Sequence, residues 1–357
     1  MFTRSGRVEA FVLALVVGLT ACSSDSATAV SGVPPHPSPP STAAAPDVVG
    51  EFGANEFGEP TAPLDVVVGP SADILPAAFD LLTVGAPSDN VNAFPFGGGV
   101  FPGGGTRYQQ AYSAAQFAGS GAALIRSVRF VGASGFPSGT GFLATSNYTF
   151  SLSTITAGIN TLSNSNFDGN RGPDNALFAS RPLSGPAPST LVIDGVVPFF
   201  YDPSKGNLLL DMVISPGAVF SPINVFYAAR NGTANGIFSR YHNFGSATIG
   251  WGLVTQFELV RPTVDNLAAV IDDAVAGGTL AGRDQGKSAD HVFAAWRNLI
   301  DVSQRLAQEG HAAGACATLN RAYLGVDGEE RPPDMVGGTA APVLARFIQA
   351  ILTQMEC

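Results

Sequence analysis

The chain has 357 residues, a length that fits about two domains of ~150 residues each. Charged residues make up only 13%, about half the usual ~25%, while apolar residues reach 45%, a balance that excludes a disordered polyelectrolyte. Eighteen Lys and Arg against 28 Asp and Glu give −10, which argues against a nucleic-acid binder, and no apolar run reaches the ~18 residues of a spanning helix, which excludes a multi-pass membrane protein.

The first element is a targeting segment. Arg4 and Arg7 precede the short apolar stretch Ala10–Ala21, the pattern of an export signal rather than a spanning helix. Leu19-Thr20-Ala21-Cys22, followed by Ser23 and Ser24, resembles the lipobox of bacterial lipoproteins. The resemblance implies cleavage after residue 21, lipidation of Cys22 (thioether lipid plus palmitate-like acyl chains) and a stable membrane anchor. Ser23 rather than Asp after the Cys resembles the class sorted to the outer membrane. Residues 28–49 then carry six prolines and no aromatic residue, so the expectation over 22–62 is a lipidated Cys with an extended Pro/Ala/Ser-rich tether. His36 falls within it and is expected to be solvated.

Composition shifts twice after the tether. Residues 60–261 carry 19 charges in 202 residues, whereas 262–357 carry 19 in 96. The first stretch reads as strands. Tyr148, Phe150 and Leu152 alternate with Thr149, Ser151 and Ser153. Ile249, Trp251, Leu253, Phe257 and Leu259 fall on one face, with Gln256 and Glu258 on the wet one. Further strand-like runs are Ser127–Val131, Leu191–Val197, Asn207–Ile214 and Ile223–Ala228, separated by turn signals such as Asp202–Asn207, Pro216-Gly217 and Asn231-Gly232. Short strands without intervening helices predict an antiparallel, jelly-roll-like β-sandwich over 63–261.

Beyond Pro262 the period changes. Leu267, Val270, Ile271 and Val275 form one helical stripe. Phe293, Trp296, Leu299, Ile300 and Leu306 form a second, and Leu344, Phe347, Ile348, Ile351, Leu352 and Met355 a third. Ala313–Leu324 adds another helix; Pro262 and Thr263 fit a start and Gly277-Gly278 a stop. The fold class is therefore mainly β, a sandwich followed by a small α-helical bundle over 262–357. With Cys22 taken by lipid, Cys316 and Cys357 remain, and in an oxidising compartment they are expected to pair; the alternative is two buried free thiols.

In order, Arg107–Ser113, Asn147–Thr154, Pro198–Pro203, Gly206–Asp211 and Gly252–Phe257 resemble the secreted β-sandwich domain of PEP-CTERM-type bacterial surface proteins over about 94–260. This chain has no Pro-Glu-Pro sorting signal at its end, and the lipid anchor would take its place. The C-terminal part is similar to the FIMAH-type helical module through Ala315–Asn320 and the last helix ending in Cys357. Neither resemblance implies a catalytic residue, and no cofactor is expected.

Several patterns invite chemistry. Ala281–Ser288 has phosphate-loop spacing, but no buried strand leads into it, and a polar inter-helix loop with Ser288 as N-cap is preferred. Asp168, Asn170 and Asp174 alternate as calcium ligands do, against the reading of a solvated turn. His36, His242, His291 and His311 have no zinc-ligand spacing. Tyr108, Tyr112, Phe199, Phe200, Tyr201, Tyr241 and Trp251 would serve as core or as a sugar-stacking face, with Tyr201 and Tyr241, beside turns, the best candidates for the latter. The expectation is a non-enzymatic envelope or matrix lipoprotein that adheres to polysaccharide or to surface proteins; the alternatives are a hydrolase of extracellular polymer, signalled by a carboxylate pair in a cleft, and a plain spacer, signalled by no concave site.

Overall fold

The computed structural model describes residues 79–85, 91–92, 95–96, 106–133, 141–219, 225–231, 236–242, 251–330 and 332–357. The signal segment, Cys22, the tether, His36 and Ile249 lie outside them. The strands are, in chain order, β1 (Phe79–Val84), β2 (Val91–Asn92), β3 (Thr106–Tyr112), β4 (Ala123–Val131), β5 (Phe142–Ile155), β6 (Ala176–Pro186), β7 (Thr190–Tyr201), β8 (Asn207–Ile214), β9 (Tyr227–Asn231), β10 (Ile237–His242), β11 (Trp251–Leu253) and β12 (Thr255–Val260). Helices α1 (Val264–Ala276), α2 (Ala289–Gln308), α3 (Ala312–Tyr323) and α4 (Ala341–Gln354) follow, with the two-residue strands β13 (Ala281–Gly282) and β14 (Val336–Gly337) between them.

Two antiparallel sheets carry the fold, in the orders β1-β12-β4-β7 and β10-β3-β8-β5-β6. Setting aside β10 at the edge, their eight strands in chain order fall as first, eighth, third, sixth in one sheet and second, seventh, fourth, fifth in the other. That is the double Greek-key order of a jelly roll. The inner faces meet in one apolar core that includes Tyr148, Phe150, Leu152, Phe130, Phe257 and Ile193, which is what period-two patterning of these strands requires. Phe96 sits among Phe130, Tyr148 and Tyr227, with its edge-to-face partners 4.9 and 5.5 Å away between ring centroids.

The outer faces are covered to different extents. On the five-stranded sheet, Ala111 and Leu209 pack under Ile155, Ile159 and Leu162. The four-stranded sheet is covered by the helices, because Leu124 and Val260 belong to the helical core with Leu267, Ile271, Trp296, Leu344 and Phe347. Gly69–Cys357 is accordingly one compact unit. The alternation expected of Gly250–Val260 breaks here on two counts. Val254 divides the run into β11 and β12, and Glu258, expected in water, is 7% exposed beneath the helices. Alternation implies a wet face only where nothing covers the sheet.

The helix signals behave as the sequence predicts. Thr263 caps α1, its hydroxyl accepting from the Asn266 amide at 3.2 Å, and Gly278 takes φ +65° just past Gly277 at the other end. The stripe of α4 is buried throughout from Leu344 to Leu352. Val275, counted in the stripe of α1, is exposed, while its neighbour Ala274 takes the buried position of the last turn. Cys316 on α3 and Cys357 form a disulfide that closes a separation of 41 residues, Cα to Cα 5.6 Å.

Candidate functional site

A cleft of about 710 Å3 opens where the outer face of the four-stranded sheet meets α1 and α4. Its size falls in the ~300–1,000 Å3 range of small-molecule sites. A pairing irregularity in β4 builds it. Against β12 the register runs Ser127 to Glu258 and then Ile125 to Leu259; against β7 it runs Ser127 to Asp194 and then Ile125 to Phe199. Arg126 is skipped on both sides. The extra residue is a β-bulge, which locally re-aims side chains. Through it Arg126 and Arg129, three positions apart, both reach Glu258 on the same face, which regular pleating forbids. Of the four residues of β7 that lie opposite Arg126, Gly195, Val196 and Pro198 form one wall.

The charged groups of the cleft are set against one another. Glu258 Oε2 accepts from Ser127 Oγ at 3.2 Å and from Arg129 Nη2, and Arg129 Nε donates to Ser127 Oγ at 3.2 Å. Glu258 Oε1 lies 3.9 Å from Arg126 Nε. Across the layers, Arg126 Nη2 meets Asp273 Oδ2 of α1 at 3.1 Å, both side chains being open to water; such a pair contributes at most ~1 kcal/mol. Asp194 also lines the cleft, with no partner among the described residues. The remaining walls are apolar and include Phe79, Val196, Val260 and Leu344. Phe79 and Val196 are 50% and 63% exposed at its mouth.

The residues singled out from the sequence lie elsewhere. Asp168 is paired with two guanidiniums. Arg107 Nη1 reaches it at 3.0 Å and Arg171 Nη1 at 3.1 Å, while the fully buried Asp211 takes Arg107 through both oxygens at 2.8 and 2.7 Å. The Arg107 hydrogen bond lowers the Asp168 pKa. Burial opposes the charge on Arg107, but its hydrogen bonds and attraction to Asp211 and Asp168 outweigh that and raise its pKa. Asn170 is committed to Gln109 Oε1 and the Ser163 carbonyl, and Asp174 accepts from the Thr154 amide. The three side chains thus staple the 163–174 segment to the sheet, Asp168 and Asp174 as acceptors and Asn170 through its amide nitrogen. Among the described residues no group of three or more metal-binding side chains comes together.

Ala281–Ser288 is an inter-helix loop: Ser288 caps α2, and the Gly286 amide is taken by Asp284 Oδ1 at 2.9 Å. Tyr108, Tyr112, Phe199 and Tyr201 are buried. Tyr201 is no stacking surface, because the adjacent turn folds back and its hydroxyl donates to the Gly206 carbonyl at 2.7 Å. Phe200 packs on the helical core and Trp251 on the sandwich core; the Tyr241 side chain lies outside the described residues.

Sequence reading missed Arg126, Arg129 and Glu258. One signal was present: two arginines three apart in a strand of a charge-poor region share a face only across a bulge. It also missed Gln110, a buried hub between the sheets. The Gln110 amide nitrogen donates to the Leu253 carbonyl at 2.8 Å, and its oxygen accepts from the Leu253 amide at 2.8 Å and from the Tyr108 hydroxyl. No family model matches the chain, and no curated protein is similar enough to match it.

Proposed function

We propose that this chain is a non-enzymatic, lipid-anchored envelope protein, held at the membrane through Cys22, that adheres to extracellular polysaccharide through the cleft between β4 and α1. The observation that carries the reading is the state of the carboxylates in that cleft. Glu258 Oε2 is engaged by Ser127 and Arg129 and Asp273 Oδ2 by Arg126, so no pair of unengaged carboxylates faces the cleft. A glycoside hydrolase acts through two carboxyl groups that flank one bond; of the three carboxylates here only Asp194 has no partner among the described residues. An open concavity of this size supports binding over a spacer role.

The test is retention of the full chain, solubilised in detergent, on insoluble and gel-embedded polysaccharides, with released sugar assayed in the same samples. Retention without release is expected, and is lost when Val196→Arg fills the mouth of the cleft. Release of sugar would overturn the reading in favour of a hydrolase, and neither retention nor release would leave the spacer.

A further inference from the structure

We propose that the ligand of this cleft is a neutral, hydroxyl-rich saccharide, with Arg126 donating to one hydroxyl and Asp194 accepting from another. The inference rests on the reading of the cleft as a binding surface and adds the chemical class of what binds. It follows from what the cleft leaves unspent. Arg129 and Glu258 satisfy one another, with Ser127 between them. Arg126 has five N–H groups and meets only Asp273 at 3.1 Å and Glu258 at 3.9 Å, so donors remain over. Asp194 has acceptors and no partner among the described residues, and it stands opposite Ser127 in the register, one position from the bulged Arg126.

A donor-only group with N–H groups to spare and an acceptor-only group without a partner therefore line the same cleft. A carboxylate ligand would complement Arg126 and be repelled by Asp194. An ammonium would complement Asp194 and offer nothing for Arg126 to donate to. A hydroxyl both donates and accepts, and a vicinal diol presents two of them at neighbouring positions. The charge balance points the same way: two guanidiniums and three carboxylates line the cleft, one short of compensation, which disfavours polyanions. Phe79 and Val196 at the mouth offer apolar surface to the C–H face of a sugar ring.

Calorimetric titration of the full chain in detergent with cellohexaose, mannohexaose, hexagalacturonate and hexaglucosamine tests this. At least one neutral hexasaccharide is expected to bind, and the two charged ones are not. Asp194→Ala and Arg126→Ala should each weaken that binding about tenfold or more, the loss of a hydrogen bond to a charged group. Val196→Arg, at a position open to water, should abolish it without affecting the fold. If a charged hexasaccharide binds most tightly and Val196→Arg abolishes that binding, the ligand class is wrong and the cleft stands. If binding survives Val196→Arg, or no saccharide binds, the cleft reading fails and the inference with it.

Discussion

Removing the disulfide should destabilise the protein without undocking its last helix. The perturbation is the double substitution Cys316→Ser and Cys357→Ser. The bridge closes a separation of 41 residues, for which the chain-entropy treatment gives about 4 kcal/mol at 25 °C, acting through the unfolded chain. Native docking of α4 does not depend on it. Leu344, Phe347, Ile348, Ile351 and Leu352 are buried on that helix, and at ~1.5–3 kcal/mol each they supply about 7–15 kcal/mol of apolar burial. Burial therefore exceeds the bridge by a wide margin, and the folded state should keep its helix. Urea unfolding with circular dichroism should show a folded baseline unchanged from the parent and a loss near 4 kcal/mol. Hydrogen exchange in Ala341–Gln354 should remain slow under native conditions. Fast exchange confined to α4, or a loss under about 1 kcal/mol, would refute the reasoning.

Three further outcomes are expected. Asp211→Asn leaves Arg107 and Arg171 facing a neutral group in a buried site; it should cost about 3 kcal/mol by urea unfolding, and limited proteolysis should then cut within 163–174. Gly195→Ala places a Cβ 2.5 Å from the Phe178 ring, so a loss of ~1–3 kcal/mol is expected in thermal or urea unfolding. Burial raises the pKa of Tyr108 and Tyr112 above the ordinary value, so stability is complete below pH ~10, where the unfolded chain also keeps its tyrosines protonated. Above that pH the unfolded state loses protons that the folded state retains, and stability should fall by about 2.7 kcal/mol per pH unit for the pair. Tyr112→Phe should remove about 1.4 kcal/mol per pH unit, about a quarter of the slope that this pair and the likewise raised Tyr201 and Tyr227 give together, as followed by tyrosinate absorbance alongside circular dichroism.

Much of the architecture was legible because it rests on local periodicity. The run Tyr148, Phe150, Leu152 and the stripe Leu344 to Leu352 bury the faces their spacing assigns. Thr263 and Gly278 punctuate α1 through backbone chemistry that any helix shares. The failures share a different cause, which is that a non-local partner decides. Glu258 reads as a wet residue until α1 covers its face, and Tyr201 reads as exposed until Gly206 offers its carbonyl. Gln110 carries no signal of burial in its own strand, and Leu253, 143 residues away, takes both ends of its amide. The cleft was the least legible part, since it depends on a register slip at Arg126 that is a property of strand pairs and not of one strand.

In β4, neighbouring residues serve different masters: Leu124 belongs to the helical core and Ile125 to the sandwich core. The four-stranded sheet is thus a shared wall, and its modularity is lost. A fragment ending at Arg261 would bare Leu124 and Val260 together with the charged group around Glu258, a surface both sticky and costly to hydrate. Gene fusion or domain shuffling that treats Pro262 as a seam would have to resurface that wall, so the jelly roll and its helices are inherited as one piece.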